Sequence, residues 1–381
     1  MKQNLPLSRP SVTPLEIERV VAVLESGRLA TGPQTRELED SIRAFCGVEH
    51  AVAVSSGTAA LHLIVRALGL GPGDEVITTP YSFIASSNVL LFEGIKPVFV
   101  DIEPATWNID VRAVEDAITD RTRGILAVDV FGVPADWPRL HAIAKQYSLH
   151  LIDDACEALG AEIGGSRLGA WGDAAAFGFY PNKQITTGEG GCITTSSPAI
   201  ADFCRSARNQ GRSDDRFLHH TLLGYNYRMD EMSAALGCAQ LERWNELSAK
   251  REAVALRYRQ RLAEMPSLVK PPISLKDVRR SWFVYVVELQ SPMARPERDE
   301  VITQMGEAGI ECAPYFPSIH LQPVYRERFG FGSGTFPVAE RVSNQTLALP
   351  FYPDLSLEDV DLVVDHLESV LRSMSDAPRA A

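Results

Sequence analysis

Lys183 has the clearest chemical setting in the chain. It follows the apolar run 174–180 and the pair Pro181-Asn182, and it precedes the turn Thr187-Gly-Glu-Gly-Gly191 and a second run, 192–195. A primary amine fixed between two strands and stripped of water is a nucleophile toward carbonyl carbon. A surface lysine beside a hairpin fits the same residues. Three more stretches carry groups of use. Ala51-Val-Ala-Val-Ser-Ser-Gly57-Thr58 reads as a strand, a polar turn and a helix start. Free N–H groups there, with the hydroxyls, make a phosphate cradle; plain capping by Ser56 or Thr58 is the alternative. The stretch is neither a Walker loop nor a GxGxxG fingerprint. Leu149-His-Leu-Ile-Asp-Asp154-Ala-Cys-Glu157 puts acids at the carboxyl end of a buried strand, where open α/β sheets bind ligands. A carboxylate at that place can hold a protonated ring nitrogen, or cap a helix, or bind a metal. Phe83, opening a helix after a strand, can stack on a flat ring or fill the core.

The elements that must position these groups follow from periodicity. Short apolar runs at 51–54, 75–79, 97–101, 124–128, 149–153, 174–180 and 191–195 read as strands. Helical patterns at 59–68, 83–92, 111–118 and 137–147 separate most of them, which predicts a largely parallel sheet covered on both faces. Before the sheet, 13–27 predicts a helix closed by Gly27, then a turn at Leu29-Ala-Thr-Gly-Pro33 and a helix over 35–46. After it, 229–265 reads as one long helix, and Pro271 with Pro272 marks a lobe boundary. A strand at 283–289, a helix at 295–308, a Pro- and aromatic-rich loop at 313–337 and a helix at 356–372 complete the chain. The expected organisation is an α/β domain over 1–250, with a helical segment 1–48. A smaller α+β domain over 251–373 and a disordered tail at 374–381 follow.

The chain has 381 residues, 45% hydrophobic and 23% charged, with a net charge of −12 and no long basic run. That excludes nucleic acid as the main partner, because phosphate neutralisation needs clustered Lys and Arg. It leaves room for a small anionic ligand in a local pocket. No window approaches the roughly 18 apolar residues of a membrane helix, and the first ten residues lack a signal-peptide core. The six cysteines show no metal-ligand spacing, so reduced cysteines in a cytoplasmic protein without metal are expected.

A phosphate cradle, a ring stacker, an acid for a ring nitrogen and a carbonyl-reactive lysine are together the parts of a pyridoxal phosphate site. Their order and wording carry a resemblance. Ser55-Ser-Gly-Thr-Ala-Ala-Leu, Asp154-Ala-Cys-Glu-Ala-Leu-Gly-Ala and Phe179-Tyr-Pro-Asn-Lys-Gln-Ile-Thr-Thr-Gly-Glu-Gly-Gly closely resemble the DegT/StrS sugar aminotransferases. So do Gly224-Tyr-Asn-Tyr-Arg-Met and Tyr315-Phe-Pro-Ser-Ile-His-Leu-Gln-Pro. The resemblance runs from about residue 5 to 371.

It implies the aspartate aminotransferase fold (fold type I) with a seven-stranded, mostly parallel sheet, pyridoxal phosphate as cofactor, and a homodimer. By motif match Lys183 would join the cofactor as an internal aldimine and later move the proton. Asp154 would keep the ring nitrogen protonated, Gly57 and Thr58 would bind phosphate, and Phe83 would stack. Asn226 would reach the neighbouring subunit's cofactor. Thr31, Tyr315 and His320 match segments lining the sugar site, although His320 also fits a satisfied loop histidine. Two positions depart from the commonest pattern. Gly178 stands where many members have serine, so Ser55 or Ser56 would take more of the phosphate. Glu157, beside the ring, stands where glutamine or histidine is usual, and is expected to be protonated or turned to a basic partner.

The substrates implied are a nucleotide-linked keto-sugar and L-glutamate as amino donor. The Ile185-Thr-Thr-Gly-Glu-Gly-Gly191 form leans to C4 of a 4-keto-6-deoxysugar. Alternatives are a 3-keto-sugar or keto-cyclitol aminotransferase, a pyridoxal phosphate-dependent sugar dehydratase, and a catalytically silent regulator. Dehydrating members replace the lysine, usually with histidine, so Lys183 speaks against that reading.

Overall fold

Alternate residues of the buried strands serve two different cores. Ala51 and Ala53 pack on one face of the sheet, with Ile125 and Ala127. Val52, Val54, Leu126 and Val128 pack on the other. A strand apolar on both faces reads as a continuous run, and only a sheet covered by helices on both sides can bury it. The computed structural model describes residues 4–213, 218–265, 267–271, 275–290 and 292–376. Pro272 and residues 377–381 lie outside the described residues.

The seven strands are β1 (His50–Val54), β2 (Glu75–Thr78), β3 (Lys96–Phe99), β4 (Thr122–Val128), β5 (His150–Asp154), β6 (Ala174–Gly178) and β7 (Gly191–Thr195). They form one sheet in the order β1-β7-β6-β5-β4-β2-β3. β7 runs antiparallel to both neighbours, and the other pairings are parallel. All seven lie where the apolar runs put them. The sixth ends two residues early because Phe179 and Tyr180 leave the sheet and carry the chain to Lys183.

The N-terminal helices Pro14–Ser26 and Pro33–Cys46 pack against the helix Glu231–Glu242. Thr13 opens the first through its N–H, which Glu16 Oε2 accepts at 2.7 Å, and Gly27 closes it at φ 68°. The segment 229–265 is two helices, Glu231–Glu242 and Trp244–Leu262, broken at Arg243. A one-residue break leaves the apolar period almost intact on both sides, so periodicity alone reads it as one. Arg243 itself is tied to Glu16 at 2.6 Å.

The second helix carries the chain from one core to another. Trp244 and Leu247 belong to the first core, while Val254, Tyr258 and Leu262 lie in a third. The expected boundary at residue 250 falls inside it. The third core packs on the sheet β8 (Leu268–Val269), β9 (Tyr285–Leu289) and β10 (Thr346–Leu349), antiparallel throughout. Leu5 joins this core too, with its N–H donated to the Gly309 carbonyl at 2.9 Å. The expected loop 313–337 holds a helix, Pro323–Phe329, opened by Pro323 and closed by Gly330 at φ 74°. Both signals stood in the sequence. The last helix runs Leu357–Asp376, so residues 374–376, expected in the tail, are helical.

Candidate active site

A cavity of about 550 Å³ opens at the carboxyl ends of β1, β4, β5 and β6. Gly57, Thr58, Phe83, Asp154, Glu157, Lys183 and Tyr315 all line it.

At the end of β1 the helix Gly57–Ala67 begins. Ser56 caps it, with Oγ accepting the Ala59 N–H at 3.0 Å. The first N–H groups of a helix have no partner within it, and here Gly57 and Thr58 sit at the cavity wall. The backbone is crowded at this point. A Cβ on Gly191 would lie 2.7 Å from the Gly57 nitrogen, and one on Gly57 would lie 2.8 Å from Cys156 Sγ. Glycine at both positions lets three chain segments meet around an open cradle. Ser56 lines the cavity, whereas Ser55 is absent from the wall and donates its N–H to the Tyr227 carbonyl. Beside Gly178 the space is bounded by Cys156, 3.5 Å from where a Cβ would be.

Asp154 ends β5 and is 4% exposed. Its Oδ2 accepts from Ser86 Oγ at 2.6 Å, and Oδ1 accepts from the Cys156 N–H at 3.2 Å. Ser86 sits in the first turn of the helix Ala85–Phe92, so two separate elements fix this carboxylate at the cavity wall.

Lys183 lies on a loop closed by its own backbone. Phe179 donates to Gly190 at 2.9 Å, Thr187 to Phe179 at 3.0 Å and Lys183 to Tyr180 at 2.9 Å. Arg251 Nη2 donates to the Lys183 carbonyl at 2.7 Å, which ties the loop to the bridging helix. Lys183 Nζ lies 3.7 Å from Glu157 Oε1 and 4.0 Å from the centre of the Phe283 ring. The other Glu157 oxygen accepts the Phe131 N–H at 2.9 Å. Burial pushes the Glu157 carboxyl above the usual range, against the pull of Lys183 and of that N–H, and the neighbouring Asp154 charge adds to the rise.

The mouth is aromatic. Phe83 is 60% exposed, with its ring centre 6.5 Å from that of Phe316. Tyr315 stacks on Phe316 at 4.7 Å, and Asn182 Nδ2 reaches its hydroxyl at 3.4 Å. Burial pushes the Tyr315 phenol up to about 12.

Three of the expected residues stand elsewhere. His320 is fully buried, with Nε2 3.1 Å from Glu340 Oε1 and its ring edge-on to Phe336 at 4.8 Å. It packs the 313–337 segment and does not line the cavity. Asn226 is exposed and bridges to Asn209. Thr31 lines a separate cavity of about 440 Å³, with Arg36, Arg205, Arg208 and Arg228. Sequence reasoning missed Ser86, Phe283, Arg251 and the Phe131 N–H. Ser86 lay in the stretch that drew attention to Phe83, but nothing local marked the others. Among the described residues no group of three His, Cys, Asp or Glu is placed to hold a metal ion.

The family model described as the DegT/DnrJ/EryC1/StrS aminotransferase family matches residues 10–368. GDP-perosamine synthase of Caulobacter vibrioides is 39% identical to this chain over 335 residues, covering 88% of this chain and 89% of that one. Among solved structures, a putative sugar aminotransferase of Streptococcus pneumoniae, Spr1654 in its PMP form, superposes with a TM-score of 0.93 at 28% identity. That match covers 97% of this chain and all of that one. Helicobacter pylori PseC, an aminotransferase of pseudoaminic acid biosynthesis, gives the same TM-score, identity and coverage. The cavity fits pyridoxal phosphate: it offers a backbone cradle that a Cβ would fill, a buried carboxylate held by Ser86, and one amine. The chain belongs to the DegT/DnrJ/EryC1/StrS aminotransferase family and is a pyridoxal phosphate-dependent aminotransferase of fold type I.

Proposed function

We propose that this aminotransferase moves an amino group from L-glutamate to a nucleotide-linked keto-sugar, at C4 of a 4-keto-6-deoxysugar. The observation that carries the reading is the convergence of Lys183, Asp154 and the Gly57–Thr58 helix start on one cavity. The preference for C4 rests on the Ile185–Gly191 turn, and the nucleotide link is supported by the likeness to a synthase of GDP-perosamine, whose product is nucleotide-linked by name.

Bound in this cavity, the cofactor would supply the electron sink and carry the amino group between the two substrates. The chain's own residues do the rest. Gly57 and Thr58 offer their N–H groups, and Ser56 its hydroxyl, to the phosphate. Asp154, aimed by Ser86, holds the ring N–H by a charge-assisted bond. Phe83, exposed at the mouth, would cover one face of the ring. The Lys183 amine would hold the cofactor and, when free, would carry a proton to and from the reacting carbon. Arg251 ties down the lysine loop, and the Phe283 ring covers one side of the amine. Tyr315 stands where a sugar hydroxyl would meet it.

The working unit in this proposal is a cytoplasmic homodimer with shared sites. Asn226 and Thr31 would then serve the partner's cavity, and the four arginines around Thr31 would meet an anionic nucleotide. Leu218 and Leu223, 60% and 75% exposed and shortly before Asn226 in the chain, are apolar surface that a second copy would cover. No helix of the described residues is long and apolar enough to cross a membrane.

A half-reaction tests the chemistry. Glutamate added to the cofactor-loaded protein should abolish its visible band, and one member of a panel of nucleotide-linked 3-keto and 4-keto sugars should restore it. Restoration by a 3-keto sugar or a keto-cyclitol alone would replace the C4 assignment, and a band indifferent to every donor would remove the amino-transfer reading. Mixing tests the shared site. Lys183→Ala and Asn226→Ala chains, each inactive alone, should regain activity when refolded together. Failure of well-folded mixed dimers to do so would place each site within one chain.

A further inference from the structure

Glu157 is held on three sides. Its carboxylate is 4% exposed. Oε2 accepts the Phe131 N–H at 2.9 Å, and Oε1 lies 3.7 Å from Lys183 Nζ. The backbone carbonyl accepts from Gln184, the residue after the lysine. Phe131 adopts φ 53°, a left-handed conformation that a bulky side chain disfavours. That turn aims its N–H at Glu157, and its carbonyl accepts from Arg280 Nε at 3.1 Å. The carboxylate is thus fixed before any ligand arrives, with one oxygen left for the lysine.

A buried ammonium needs a partner. Lys183 has two, the Phe283 ring face at 4.0 Å and Glu157. A ring face can attract a cation but cannot accept its proton, whereas a carboxylate can do both. We propose that Glu157 is the proton-exchange partner of Lys183. When the lysine amine is free and protonated, one N–H proton passes from Nζ to Oε1, leaving a neutral amine and a carboxylic acid. The reverse transfer restores ammonium and carboxylate, so no external acid or base is consumed. The lysine thereby becomes a nucleophile.

The groups facing Glu157 agree with this use. Asp154 carries like charge from β5, Arg280 lies beyond Phe131, and the phenols of Tyr81 and Tyr315 and the Cys156 thiol feel its charge. Burial and Asp154 raise its affinity for a proton, which suits a carboxyl that must accept one from an amine and return it.

The inference rests on the proposed role of Lys183, and one experiment separates the two. Wild type, Glu157→Gln and Glu157→Ala would be loaded with pyridoxal phosphate and their visible absorbance titrated with pH. Glu157→Gln keeps an acceptor for the Phe131 N–H but removes the charge. Its titration midpoint should fall by about 1 unit or more, as expected when an anion within about 4 Å of a cation is lost. The rate at which free protein takes up pyridoxal phosphate should shift its pH dependence the same way. Glu157→Ala should show the same shift with a lower Tm. A Glu157→Gln midpoint equal to wild type, with both bands formed, would overturn this inference alone and leave Glu157 as a support for Phe131. A wild-type chain that forms no band at all would overturn it together with the role of Lys183.

Discussion

Asp153 and Asp154 are consecutive on β5, and the pleat sends them to opposite faces of the sheet. Asp154 lines the cavity, with both oxygens accepting hydrogen bonds from Ser86 and Cys156. Asp153 is fully buried on the other face, beside Asp129, and neither of its oxygens makes a close hydrogen bond within the described residues. Asp129 accepts from Ala135 N–H and Trp137 Nε1 through one oxygen, at 2.7 and 2.8 Å, and its second oxygen is also without a donor. Burial pushes Asp129 up to about 7, and burial with the Asp129 charge pushes Asp153 well above the usual carboxylate range. A proton shared between the two carboxyls would supply a donor, beside the Gly169 N–H that acts on Asp153. Both aspartates are buried acids at one strand end, yet only one has room beside it and a hydroxyl to aim it. Open volume and an aiming group make a candidate binding site here, and burial alone does not.

The largest test of that contrast is Asp154→Asn. It keeps the shape but loses the charge that holds a ring N–H, and the glutamate half-reaction should slow by about 10²-fold, the scale of one charge-assisted bond. Stopped-flow absorbance measures it. A rate within a few-fold of wild type would place the working acid elsewhere.

A smaller effect of opposite sign is expected on the far face. The folded chain keeps a proton on the Asp129–Asp153 pair that the unfolded chain releases above about pH 4. The stability this gives is present at low pH and is lost as pH rises through about 7, the Asp129 value. Asp153→Asn removes one of the two acids and provides a permanent donor. It should raise stability at pH 8 by about 1–2 kcal/mol, with little change at pH 4 and an unaltered half-reaction. Thermal melts at the two pH values check this. A loss at pH 8 would show that the pair is held by something other than a shared proton.

Much of this molecule was legible in its residues. The seven apolar runs gave the seven strands, because a strand buried on both faces needs continuous apolar sequence wherever it sits. Pro323 and Gly330 also marked a helix, though the aromatic composition around them reads as loop. Lys183, Asp154, Gly57 and Thr58 drew attention because their chemistry depends on neighbours within a few residues (a strand end, a helix start, a tight turn), and the fold brings all four to one cavity. The break at Arg243 escaped because it barely disturbs the helical period.

Tertiary structure alone decided which distant groups meet. Phe283 enters the site 100 residues after Lys183, and an aromatic residue just before a strand carries no local sign of what it will face. Arg251 looks like any helical arginine until the bridging helix passes under the lysine loop. His320 has the polarity of a binding residue, but the packing of Phe336 and Glu340 around it made it core. The family resemblance marked Glu157 as a departure, and the fold gave it Lys183 as a partner. Backbone preference and apolar period are written over a few residues at a time. The pairing of the Lys183 amine with the Glu157 carboxylate is set only when β5 and β6 lie side by side and their following loops meet at one cavity.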